Sequence, residues 1–145
     1  MKNNISLMLD EIQDPGNMGT IIRTVDWFGV KNIICSEDCV DCYNPKVVQS
    51  SMGSLGRANI IYDGLEKFID DNKDVALYAA TLTGTSIHTF NKIGEGIILI
   101  GNESKGIKNE LLKYVTEQIT IPKLGVAESL NAAVAAGIIL SHLIT

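Results

Sequence analysis

One stretch near the start of the chain, Ile5-Ser-Leu-Met-Leu-Asp-Glu-Ile-Gln-Asp-Pro-Gly16, joins an apolar run to a polar loop that ends in Pro-Gly. The apolar run at residues 5–9 predicts a buried strand, and the Pro-Gly pair marks the turn that follows it. Apolar residues then recur at helical spacing from about Asn17 to Phe28, with Arg23 on the opposite face. The stretch therefore predicts a strand, a loop and a helix in immediate succession.

The same alternation continues to the end of the chain. The remaining predicted strands lie at 31–35, 59–62, 75–81, 96–100 and 118–121, and the remaining predicted helices at 45–51, 65–72, 108–114 and 130–144. Most of the strands are continuous apolar runs, which is typical of a parallel sheet buried between helices. We therefore predict an α/β fold with three layers, in which ligands bind beyond the carboxyl ends of the strands.

Length and composition limit the class of protein. The chain has 145 residues, of which 46% are hydrophobic, so we expect one domain over residues 1–145 with a substantial core. The net charge of −5 argues against a protein that coats nucleic acid by charge alone. No apolar run is long enough for a membrane span, the start lacks a signal-peptide pattern, and three cysteines fit a reducing compartment. We expect a cytoplasmic protein that does not enter a membrane.

Three loops at the expected ligand edge combine glycine with polar side chains. The first, Asp14-Pro-Gly-Asn17, precedes the helix that carries Arg23, and the second is Gly101-Asn-Glu-Ser-Lys-Gly106. The third runs from Ile121-Pro122 to Ser129-Leu-Asn131 and leads into a nearly apolar helix, which predicts burial by the core and by a further partner. Taken singly, each polar residue has an ordinary structural explanation, such as a helix cap at Asn17 or Asn131.

Taken together, the three loops closely resemble the motifs of the SpoU family of RNA ribose 2′-O-methyltransferases, within the SPOUT superfamily. The resemblance extends from Ile5 to the end of the chain. It implies that the C-terminal part of the α/β domain forms a trefoil knot. It also implies S-adenosylmethionine as cofactor, tRNA or rRNA as substrate, and a homodimer in which an arginine of one subunit enters the site of the other.

The resemblance assigns residues to two groups. The implied catalytic residues are Asn17, Arg23, Glu103, Ser129 and Asn131. The implied cofactor-binding residues are Ala80, Thr81, Gly84, Gly101, Ile121 and Leu130. We expect Asn17 to orient Arg23, and Arg23 to anchor an RNA phosphate and stabilise the developing alkoxide. Affinity for RNA would come from basic side chains gathered near one cleft, namely Arg23, Lys46, Arg57, Lys105, Lys108 and Lys123.

Two alternative functions remain open on the sequence. One is a module that binds cofactor or RNA without turnover, and the other is a SPOUT enzyme that methylates a base nitrogen. The spacing of Cys35, Cys39 and Cys42 also matches the cluster-binding motif of radical S-adenosylmethionine enzymes, but the chain is too short for their barrel. We therefore expect three free thiols and no metal. Many SpoU enzymes carry an N-terminal RNA-binding extension, which we expect this chain to lack.

Overall fold

The sheet has six strands. A computed structural model describes residues 4–145, and within them the strands are β1 Ile5–Leu9, β2 Asn32–Cys35, β3 Asn59–Tyr62, β4 Leu77–Ser86, β5 Gly96–Ile100 and β6 Glu117–Thr120. The α-helices of the same residues are α1 Pro15–Trp27, α2 Pro45–Ser50, α3 Leu65–Asp71, α4 Asn109–Leu112 and α5 Ala132–Ile144. Short 3₁₀ turns lie at Ser54–Gly56 and Ile87–Thr89.

All pairings in the sheet are parallel, in the order β3-β2-β1-β5-β4-β6. Side chains alternate between two separate cores. Leu7 and Ile98 face the core that includes α1, α2 and α5, whereas Met8 and Leu99 face the core under α3 and α4. The predicted parallel α/β architecture with helices on both faces is therefore confirmed.

Strand β4 is longer than the sequence predicts. Its polar second half resembles a loop, so the predicted strand stops at Thr81, but the observed strand continues to Ser86. A bulge allows this, because Ile119 of β6 is paired with both Ala80 and Thr85. Bulged segments re-aim side chains, and this one turns residues 81 and 82 toward the carboxyl edge of the sheet.

Helix α5 begins at Ala132, two residues later than predicted, because Asn131 is its N-cap. The helix packs against α1 and buries Ala136 and Leu140. Its outer face leaves Val134 and Ile138 exposed, at 50% and 38%. No helix among residues 4–145 has the length and apolar character needed to cross a bilayer.

The contact between α1 and α2 depends on a glycine. A Cβ placed on Gly19 would lie 2.8 Å from the carbonyl oxygen of Val47 and 1.8 Å from Ser50 Oγ. A side chain can rotate away, but a backbone carbonyl inside a helix cannot. The absence of a side chain at position 19 therefore sets how closely the two helices approach.

We predict that Gly19→Ala destabilises the fold by about 1–3 kcal/mol, because overpacking outweighs the gain in helix propensity. Gly56→Ala is the matched control, because a Cβ at Gly56 meets open space. We expect the control to change stability by less than about 0.5 kcal/mol. Urea denaturation of both variants measures the difference, and equal midpoints would contradict the close-contact explanation.

Candidate functional site

A cavity of about 990 Å³ opens at the carboxyl edge of the sheet. Its walls are the ends of β4, β5 and β6, the loops at 101–107 and 121–130, and the first turns of α5. The lining is largely apolar. The cavity therefore lies where a parallel α/β sheet is expected to bind its ligand.

Three of the predicted catalytic residues form one hydrogen-bonded group beside this cavity. Asn17 Nδ2 donates to Glu103 Oε1, and Asn131 Nδ2 donates to Asn17 Oδ1 over 2.8 Å. Asn131 Oδ1 in turn accepts from the backbone N–H groups of Ala133 and Val134. These hydrogen bonds connect α1 and α5 to the loop after β5. Glu103 also lines the cavity, so the group extends to the cavity wall.

Asn17 can take part in this group because another residue caps α1. Asp14 is the N-cap, and its side chain accepts a hydrogen bond of 2.8 Å from the backbone N–H of Asn17. Pro15 follows in the first turn, where its missing N–H has no intrahelical partner to lose. The alternative that Asn17 itself caps the helix is therefore wrong.

Arg23 stands apart from the group. It lies on the exposed face of α1, six residues beyond Asn17, which is about 9 Å along the helix axis. It forms no hydrogen bond or ion pair with any residue from 4 to 145, and it does not line the cavity. Both polar ends of the Asn17 side chain are bonded to Glu103 and Asn131 instead. Within one chain, Asn17 does not orient Arg23.

The predicted cofactor residues gather at the cavity, with one exception. Ala80, Thr81, Gly101, Ile121 and Leu130 all line it, and so does Ser129 of the predicted catalytic set. Gly84 does not. A Cβ on Gly84 would lie 2.4 Å from the backbone of Gln118, so this glycine permits the close approach of β4 to β6 at the bulge.

One polar atom of the cavity lining is available to bond a polar atom of a ligand. Thr81 Oγ1 is buried and has no hydrogen-bond partner within residues 4–145. A buried hydroxyl normally has a partner, so an unpaired one in a cavity wall marks a place where a polar ligand atom would be favoured. On the neighbouring strand end, the loop at 101–107 folds back closely on itself, because a Cβ on Gly101 would collide with the backbone of Gly106 at 2.5 Å.

Two carboxylates that were not predicted as site residues, Asp10 and Asp38, hold Lys108 at the end of the loop at 101–107. Asp10, at the end of β1, is fully buried, and its Oδ2 accepts from the backbone N–H of Lys108 over 2.9 Å. The Lys108 ammonium also lies 2.8 Å from Asp38 and lowers the pKa of that carboxyl. A carboxylate placed directly after a central strand was the signal available in the sequence.

The predicted basic cleft forms only in part. Lys105 and Lys123 line the cavity. Lys46 and Arg57 do not, and Arg57 is bound to Asp26 by an ion pair of 2.7 Å.

The three cysteines lie together below the site as free, buried thiols. Cys39 Sγ accepts from the backbone N–H of Ile12 over 3.3 Å. The hydrogen bond from the Cys35 thiol lowers the pKa of Cys39 to about 7, and the same contact raises the pKa of Cys35. Residues 4–145 hold no group of three or more His, Cys, Asp or Glu arranged to bind a metal ion.

Comparison with known proteins agrees with this geometry. The chain is 34% identical over 140 residues to the 23S rRNA (guanosine(2553)-2′-O)-methyltransferase RlmP of Bacillus subtilis. The matched region covers 94% of this chain and 56% of that protein. It is also 34% identical over 145 residues to the 23S rRNA (uridine(2479)-2′-O)-methyltransferase of Streptomyces viridochromogenes, covering 94% of this chain and 50% of the relative. The chain thus spans about half the length of these relatives.

Solved structures share the whole fold. The SpoU methyltransferase AviRb from Streptomyces viridochromogenes, in complex with AdoMet, matches with a TM-score of 0.90 and 29% identity over 99% of this chain and 60% of that one. The AdoMet-bound rRNA methyltransferase from Sinorhizobium meliloti gives a TM-score of 0.91 and 33% identity, covering 99% of this chain and 56% of that chain. A sequence model of the family also matches residues 4–141, which include all three motif loops. The chain therefore belongs to the SpoU rRNA Methylase family.

Proposed function

We propose that this chain binds S-adenosylmethionine in the cavity and transfers its methyl group to a ribose 2′-hydroxyl of rRNA or tRNA. The observation that carries the proposal is the group of Asn17, Glu103 and Asn131, which joins the three motif loops beside a largely apolar cavity. The family and the 2′-O-methyltransferase names of two relatives support the same chemistry. Because two relatives are named as 23S rRNA methyltransferases of bacteria, we also propose a cytoplasmic location.

The cavity suits this cofactor by shape and chemistry. Apolar walls at Ile121 and Leu130 would enclose the adenine, and Thr81 Oγ1 would gain the hydrogen-bond partner that it lacks. Ala80 and Gly101 present small surfaces that allow a ligand to approach the backbone. When bound, S-adenosylmethionine supplies a methyl group that its cationic sulfonium already activates.

The remaining task of the protein is to orient the ribose and to accept a proton. An arginine side chain stays protonated near neutral pH, so Arg23 is suited to anchor an RNA phosphate and to stabilise the developing 2′-alkoxide. The proton would pass to phosphate or water. Glu103, held by Asn17, would fix the polar side of the site, and Ser129 and Asn131 would position ribose or cofactor.

A homodimer would complete this site. Arg23 is exposed and unbonded within residues 4–145, on a helix that packs beside α5. Val134 and Ile138 on α5 and Leu124 and Val126 on the loop at 121–130 are exposed apolar side chains, which a second copy of the chain would cover. We propose that Arg23 of one subunit acts in the cavity of the other.

A trefoil knot in the C-terminal part belongs to the same proposal. The segment between β4 and β5 lies against the end of α5, where Ile93 N–H donates to the Leu143 carbonyl over 2.9 Å. Lys92 Nζ donates to the neighbouring carbonyl of His142 over 2.7 Å. These contacts lie between the segment at 87–95 and the end of α5, and such proximity is what a knot in this part of the chain would require.

For the cavity, we predict that Leu130→Asp weakens binding of S-adenosylmethionine about tenfold or more, because a carboxylate replaces part of the apolar wall. Val48→Asp is the matched control, since Val48 has a similar exposure, 44% against 46%, and lies outside the cavity. Calorimetric titration measures both variants. An equal effect of the two substitutions would place the cofactor elsewhere.

For the chemistry, we predict that Arg23→Lys lowers the rate of methyl transfer about tenfold or more, while binding of S-adenosylmethionine stays unchanged. Unmodified rRNA and tRNA transcripts are incubated with methyl-labelled cofactor, and the product is hydrolysed with alkali. Label in alkali-resistant dinucleotides identifies ribose methylation. Label in mononucleotides would instead support a base methyltransferase, and cofactor binding without any transfer would support a non-catalytic module.

For the dimer, we predict that Val134→Asp raises the dimer dissociation constant about tenfold or more, because it buries a carboxylate in an apolar interface. Sedimentation equilibrium measures the constant, and Val48→Asp again serves as control. If Val134→Asp stays as dimeric as the parent chain, the interface lies on another surface.

A further inference from the structure

The loop at 101–107, which forms one wall of the cavity, is tied to the two residues after β1. Asp10 holds its base, through the hydrogen bonds from Asp10 N–H to the Ile100 carbonyl and from Lys108 N–H to Asp10 Oδ2. Glu11 holds its upper part. The Glu11 carbonyl accepts from Asn102 Nδ2 over 2.9 Å, and Glu11 Oε1 accepts from Lys105 Nζ over 2.8 Å.

Glu11 occupies a backbone conformation that its side chain disfavours. Its φ is +58°, in the left-handed region that glycine adopts without strain. The carboxylate is only 12% exposed and is paired with Lys105, whose own side chain is 69% exposed. A strained residue whose side chain makes one directed contact points to a function for that contact.

The loop does not need Glu11 in order to form its turn. Asn102 Oδ1 accepts from the backbone N–H groups of Ser104 and Lys105, and Gly106 N–H donates to the Asn102 carbonyl. The turn is therefore closed by its own residues. What Glu11 adds is a fixed position for Lys105, because its carboxylate holds the Lys105 ammonium while Glu103 of the same loop is bonded to Asn17.

We propose that Glu11 is a positioning residue for the cofactor site: through Lys105 it aims the loop at 101–107 and holds the Lys105 ammonium fixed and charge-paired at the cavity wall. The inference rests on the proposed function. Lys105 lines the cavity, so a released ammonium would reach the space assigned to a cationic sulfonium, and like charges repel most strongly in a partly desolvated site. Glu11 thus acts on the cofactor through another residue and does not touch it.

The test compares Glu11→Gly, Lys105→Met and the double variant. We expect Glu11→Gly to leave the melting temperature within about 2 °C of the parent value, or higher, because glycine relieves the strain. We expect the same variant to weaken binding of S-adenosylmethionine by about three- to tenfold, with KM for the cofactor raised and kcat unchanged. The double variant should bind no worse than Glu11→Gly, since the two residues act as one pair.

Exchanging the charges of Glu11 and Lys105 tests whether cofactor affinity can be restored. Glu11→Lys alone should weaken binding at least as much as Glu11→Gly, and adding Lys105→Glu should restore affinity to within about threefold of the parent. Binding by Glu11→Gly equal to that of the parent would overturn the proposal. The proposal would also be overturned if Glu11→Gly lowered melting temperature and affinity together and the charge reversal restored neither. That result would indicate that Glu11 has only a structural role.

A readout without cofactor separates this inference from the proposed function. Because release of the Lys105 side chain should let the turn open more often, amide hydrogen exchange in the free chain should be about threefold or more faster at Ser104, Lys105 and Gly106 in Glu11→Gly, with the amides of α2 unchanged. If the parent chain fails to bind S-adenosylmethionine, the proposed function is wrong, and unchanged exchange in this loop would show that Glu11 does not position it either.

Discussion

The parallel pairing of β1 with β5 at the centre of the sheet is the constraint on which the site depends. Leu9 lies opposite Ile100, so the chain leaves both strands at the same level and on the same edge. The residues that follow, Asp10 and Gly101, therefore begin two loops side by side. Because both faces of these strands are buried, a one-residue slip would exchange the side chains of the two cores and disrupt the packing of both.

Many polar side chains at that edge form hydrogen bonds or ion pairs between loops, so only some of them remain free to bind a ligand. The loop after β5 is held by Asn17 through Glu103 and by Glu11 through Lys105. Lys108 is shared between two carboxylates, Asp10 and Asp38. An acidic chain thus neutralises basic groups near its cavity, so the RNA contacts that we propose would come from a local site and not from a broad positive surface.

The sequence was sufficient to predict the elements whose pattern is local. β1, β3 and β5 were predicted with their observed bounds, since each is a short apolar run between polar turns. The cavity-lining positions Ala80, Thr81, Gly101, Ile121 and Leu130 came from the family resemblance, and the structure brings them together. The second half of β4 was missed because its polar residues owe their strand conformation to pairing with β6 across a bulge.

By itself, the sequence determined the α/β alternation, the amphipathic face of α1 and the membership of a family, because these depend on the order and spacing of residues. The tertiary structure alone decided which polar groups meet. Asn131 bonds Asn17 across 114 positions of sequence, and Gly84 turns out to serve the approach of two strands. Likewise, the left-handed conformation of Glu11 is explained only by the fold, where its N–H donates to Ser36 Oγ, its carbonyl accepts from Asn102 and its carboxylate meets Lys105. Such contacts depend on directions of side chains and distances between backbones, which local spacing does not encode.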